Sequence, residues 1–196
     1  IVSWTLSLYD VTKMHLALVP THADRAGGLG FLGTTHMYFG IFAFGISSVL
    51  SGEAAFRIVF EGARLDTFKV PFVVMLLLVQ AVFLGPLLVF CPVLANAKRV
   101  ALMAYGALVV KYNREFHRKW VEGAAPPGEQ LLGSADIQSL ADLGNSFRFI
   151  SEMGVVPFSR RVMFQLAVAT ALPALPLLLL VIPIDKILDT LAQAVG

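Results

Sequence analysis

Polar and apolar positions fall in blocks along this chain instead of alternating residue by residue. Three long tracts carry no Asp, Glu, Lys or Arg: 26–52, 70–97 and 162–184. With a rise of about 1.5 Å per residue, each is long enough as a helix to cross roughly 30 Å of hydrocarbon. The pattern predicts transmembrane helices over 30–51, 70–95 and 162–184. Pro86 and Pro92 should bend the second, and Pro173 and Pro176 the middle of the third. Residues 1–12 begin with the uncharged IVSWTLSLY and read as the end of an upstream transmembrane helix, in a chain expected to be a fragment of a longer one.

Between these tracts the spacing changes. Glu53, Arg57, Glu61, Arg64 and Lys69 recur at helical intervals among Phe56, Val59, Phe60 and Ala63, which predicts a short amphipathic helix. Residues 98–161 form an amphipathic region interrupted by the Pro- and Gly-rich linker 122–134. Beyond the linker, Ile137, Leu140, Leu143, Phe147 and Ile150 share one helical side. The expected fold class is all-α: a polytopic helical membrane protein, one membrane domain over 1–196, with three strong transmembrane helices and flanking amphipathic helices. Residues 98–161 hold Lys98, Arg99, Lys111, Arg114, Arg118, Lys119, Arg148, Arg160 and Arg161. The positive-inside rule therefore places this region in the cytoplasm and the tail from Asp185 outside.

Composition agrees with the blocks, since 57% of residues are hydrophobic and 14% charged. The formal charge of +2 gives no basis for nucleic-acid binding. A single cysteine, Cys91, excludes an internal disulfide and reads as a packed, inert thiol. Partners expected on these grounds are membrane lipids and either a second copy or another membrane protein. Ala43, Ser47 and Ser51 recur every four residues, a small-residue stripe for helix packing.

Candidate chemistry concentrates in THADRAGGLGFLGTTH, residues 21–36. His22, Asp24 and Arg25 stand beside the first crossing, and His36 lies within it. An ionisable group there must face protein, water or a ligand. His22, Asp24 and His36 are weak metal candidates, without an H-E-x-x-H pattern. With Arg25 and Gln80 they form a candidate ligand or transport set. For Gln80, an interhelical amide contact is the plainer reading. Gly27, Gly28 and Gly30 lack the Lys-Ser/Thr pair of a phosphate loop and read as a turn into the helix. Asp136, Asp142 and Glu152 read as helix acids and caps, and no catalytic residue or cofactor is assigned.

The blocks T21-H22-A23-D24-R25-A26-G27-G28-L29-G30-F31 and D136-I137-Q138-S139-L140-A141-D142-L143 resemble those of an uncharacterised family of bacterial multi-pass inner-membrane proteins, whose form carries Pro at the position of Ala23. The resemblance implies residence in the bacterial inner membrane and brings no activity with it. The expected function is a membrane scaffold or accessory subunit. A small-solute or ion transporter is the alternative, and a membrane enzyme comes third.

Overall fold

The computed structural model describes residues 2–181. Among them every regular element is helical: α1 (Val2–Lys13), α2 (Gly30–His36), α3 (Gly40–Phe60), α4 (Lys69–Leu84), α5 (Cys91–Phe116), α6 (Ala135–Glu152), α7 (Arg160–Ala171) and α8 (Leu175–Val181). Among the described residues three stretches are long and apolar enough to cross a membrane: Gly30–Phe60, Leu65–Val121 and Arg160–Leu178. Large apolar side chains such as Ile41, Val49, Phe60 and Val70 lie on their outside. In water such a surface is unfavourable, whereas in hydrocarbon it matches its solvent. The chain is a helical membrane protein.

Several bounds differ from those expected, each for a local reason. The first crossing, expected over 30–51, holds a 3-10 turn at Met37–Phe39 and continues to Phe60. The Arg57 guanidinium donates to Glu53 Oε1 at 2.7 Å across one helical turn, so the charged residues after Ser51 extend α3. They do not start the separate amphipathic helix expected there. The helix stops where Gly62 takes a left-handed φ of 66° and the Ala63 N–H returns to Arg57 O at 3.0 Å.

The second crossing, expected over 70–95, is α4, a 3-10 segment Gly85–Phe90, and α5. Pro86 lies in the 3-10 segment. Pro92 sits in the first turn of α5, where no N–H is needed. Lys98 and Arg99 do not end the helix, because Lys98 donates to Met153 O at 2.7 Å and Arg99 to Asn96 Oδ1 at 2.8 Å. A π-helical turn, His117–Val121, closes the stretch. In the third crossing Pro173 falls in the 3-10 turn Leu172–Ala174 that separates α7 from α8. Residues 182–184 of that expected crossing and the tail from Asp185 lie outside the described residues. Of residues 1–12, expected as the end of an upstream membrane helix, the described ones fall in α1, which runs Val2–Lys13.

The described residues group into two compact units, the first formed by Gly33–Pro86 with 158–181, the second by Val2–Leu32 with Leu87–Pro157. In the first, α3 and α4 pack on α7. Ala43, Val79, Leu84, Val162 and Leu166 form one apolar cluster, and Ala54, Phe68 and Leu177 a second. In the second unit α5 and α6 pair as an antiparallel hairpin. Lys98 reaches Met153 near one end and Tyr112 reaches Asp136 near the other. Gly106 faces Phe147 midway, with 3.7 Å from a Cβ at that position to the ring.

Candidate functional site

The second unit contains an ordered loop between α1 and α2 with Asp24 at its centre. Asp24 Oδ1 accepts the Ala26 N–H at 2.8 Å and the Gly28 N–H at 3.1 Å, and Oδ2 accepts the Gly30 N–H at 2.9 Å. His22 Nδ1 lies 2.9 Å from Oδ1 and 3.3 Å from the Asp24 amide. One nitrogen cannot donate and accept at once; the shorter, charge-assisted contact decides, with Nδ1–H donating to the carboxylate. Gly27 and Gly28, with φ of 63° and 96°, let the chain curl around that carboxylate, and Arg25 takes a left-handed φ of 54° without being glycine.

Partial burial works against ionisation of Asp24. The N–H groups of Ala26, Gly30 and Gly28 and the His22 ring outweigh it, and the carboxyl pKa is lowered from its ordinary value. Because Gly30 is the first residue of α2, the carboxylate also offsets the positive end of that helix.

The same loop captures the end of α6. Arg25 O accepts the Gly154 N–H at 2.7 Å, and the Arg25 guanidinium pairs with Glu152 at 2.9 Å. From α5, Lys98 holds Met153 O, a helix-terminal carbonyl that favours a cation. A Cβ on Gly27 would lie 3.0 Å from Met153 Cε and 3.5 Å from Leu94 Cδ2, so the loop also fits closely over apolar side chains. The sequence pointed to His22, Asp24 and Arg25 but missed Lys98, Glu152, Met153 and Gly154. No helical spacing links residues 25 and 152; their pairing is a product of the hairpin.

A second polar cluster closes the other end of that hairpin. Lys119 Nζ donates to Asp136 Oδ2 at 2.8 Å and to Glu129, Trp120 Nε1 donates to Asp136 Oδ2 at 2.9 Å, and Tyr112 Oη donates to Asp136 O at 3.1 Å. The Lys119 bond, helped by Trp120, holds the Asp136 carboxyl below its ordinary pKa. Asp136 opens the D-I-Q-S-L-A-D-L block and fixes the end of the 122–134 linker. The Asp142 carboxylate stays on α6, accepting from Gln138 at 3.0 Å.

His36 and Gln80 belong to the first unit. His36 is buried and meets the Phe39 ring edge-on at 5.2 Å. Gln80 Nε2 donates to Met163 O at 3.0 Å, an interhelical bond from α4 to α7, while its Oε1 is buried without a partner among the described residues. Gly40, Ala43, Ser47, Ser51 and Ala54 form the buried face of α3. A Cβ on Gly40 would approach Ala169 to 3.3 Å. Ser47 and Ser51 Oγ are buried without a partner among the described residues.

This arrangement can order a loop and clamp a helix end, since both Asp24 oxygens already accept from protein donors. His22 and Asp24 make a pair, and among the described residues no three His, Cys, Asp or Glu side chains are grouped as a metal ion would need. No family model matches this chain, and no curated protein or solved structure matches it.

Proposed function

We propose that this chain is a scaffold or accessory subunit of the bacterial inner membrane, with 98–161 on the cytoplasmic side. The observation that carries this reading is the use of the polar side chains in the second unit. Asp24, Arg25, Lys98, Glu152, Lys119 and Asp136 each hold another part of the same unit. A site that turns over or passes a solute needs groups that exchange partners with that solute, whereas a scaffold needs groups that keep a shape. The resemblance of residues 21–31 and 136–143 to bacterial inner-membrane proteins supports the location, and the nine cations between 98 and 161 support the orientation.

Native electrophoresis of solubilised membranes tests this. A scaffold migrates in an assembly well above the mass of a single copy, together with defined partners that disperse when the chain is deleted. A monomer in native membranes, with deletion leaving every other complex intact, overturns the reading. The transporter alternative draws on the buried Gln80 Oε1, which has no partner among the described residues. It requires solute flux into vesicles containing the pure protein that falls in both Gln80→Leu and His36→Ala.

A further inference from the structure

The two long faces of α5 differ. Tyr112 and Phe116 of α5 and Lys119 of the π turn after it turn toward α6, where Tyr112 and Lys119 bind Asp136. On the opposite side lie Lys111 and Arg114 of α5 and, in the π turn that follows it, Arg118, all exposed. Lys98, Lys119 and Arg25 are held by protein acceptors, but these three cations make no ion pair among the described residues. Their side of the helix continues toward its N-terminal half through Ala107 and the exposed Met103 and Val100, with Val110 alongside. A shallow, open depression lies along Val110, Asn113, Arg114, His117 and Arg118. Glu115 and Glu122 also border it, and Glu122 lies 3.7 Å from His117.

We propose that this outward face of α5 and of the π turn after it binds anionic phospholipid of the cytoplasmic leaflet, with Lys111, Arg114 and Arg118 on the headgroup phosphate and Val100, Met103 and Val110 against the part of the acyl chains next to the headgroup. The order of side chains along the face matches such a lipid from tail to head. Arg114 and Arg118 supply forked donors for phosphate oxygens, and Lys111 adds a mobile point charge. The stretch ends a helix whose earlier part is apolar enough to cross a membrane, which puts lipid within reach. This inference rests on the membrane location proposed above and on no particular partner.

The test uses the full chain in bilayer nanodiscs containing phosphatidylcholine with or without phosphatidylglycerol. A polarity-sensitive fluorophore at Ala107→Cys, in a Cys91→Ser background, should shift to the blue when phosphatidylglycerol is present. Native mass spectrometry should retain the anionic lipid over phosphatidylcholine by about tenfold or more, as expected for three juxtaposed cations. In K111Q/R114Q/R118Q both responses should vanish while helical content stays unchanged; R64Q/K69Q should keep them. Should the triple variant misfold, a photoreactive phosphatidylglycerol on the wild-type chain must crosslink to peptides covering 100–118.

Crosslinks elsewhere, equal retention of both lipids, or a preference that survives in the triple variant would each overturn the proposal. So would full displacement by millimolar inorganic phosphate, which marks a free-phosphate site, or a cation-dependent change in oligomeric state without lipid preference, which marks a protein interface. Failure of the chain to enter bilayers at all would refute the membrane location. Normal insertion without headgroup preference refutes the lipid site alone.

Discussion

The two units are held by different means. In the first, α3 packs through a buried face of Gly40, Ala43, Ser47, Ser51 and Ala54, small residues whose value lies in what they leave out. In the second, the hairpin ends are closed by Asp24, Arg25, Lys98, Lys119 and Asp136, whose value lies in the backbone and side-chain groups they bind. A seam of small residues tolerates lost polarity but not added volume; a clamp of charged residues tolerates volume at its exposed tips but not lost charge. The same substitution type should consequently have opposite consequences in the two places.

Removing Asp24 should have the largest effect. Asp24→Ala leaves the amides of Ala26, Gly28 and Gly30 without their acceptor and should cost about 2–4 kcal/mol in denaturant unfolding. Asp142→Ala, on an exposed part of α6, should cost under about 0.5 kcal/mol. Equal effects would show that the clamp is ornamental.

Acid should reproduce part of that loss. The folded-state pKa values of Asp24 and Asp136 are lowered, so their contribution is fully present above the unfolded value of about 4 and disappears as pH falls through the folded values. Hydrogen exchange should report earlier loosening of 24–30 and 135–140 than of α3 as pH drops below about 4. Uniform loosening would contradict the division of labour.

Volume tests the seam. Ser47→Leu forces a larger side chain into a fully buried position and should cost about 1–3 kcal/mol. Ser47→Ala removes a hydroxyl that has no partner among the described residues and should be neutral or slightly stabilising. Substitution of Gly27 probes both kinds of constraint, since its left-handed φ strains any Cβ and Met153 Cε stands 3.0 Å away. Gly27→Ala should cost about 1–2 kcal/mol.

The seam was far more legible in the sequence than the clamp. Ala43, Ser47 and Ser51 announce themselves through a four-residue period, and helical geometry alone places such residues on one side. Asp24 and Arg25 stood out as charges beside an apolar tract, but their partners did not. Glu152 and Lys98 are distant in sequence, and the acceptors at Met153 and Arg25 are backbone carbonyls, which every residue type carries. The helix ends failed to follow the uncharged tracts for a related reason: Lys98 and Arg57 remain helical because each finds a partner within the fold.

Gln80 provides the smallest and sharpest comparison, because it places a clamp-like contact inside the apolar unit. Its Nε2 holds Met163 O, and its Oε1 is buried without a partner among the described residues. Gln80→Met keeps the length, loses one hydrogen bond and removes one unsatisfied acceptor. These opposing terms should leave a net change near the roughly 0.6 kcal/mol typical of interhelical polar contacts in membranes. Unfolding in mixed micelles can resolve that value against Ser47→Leu. A cost above about 2 kcal/mol would show that Oε1 has a strong partner, such as bound water, and that polar clamping extends into the first unit. A negligible cost combined with lost solute flux would instead turn Gln80 from a packing contact into part of a path.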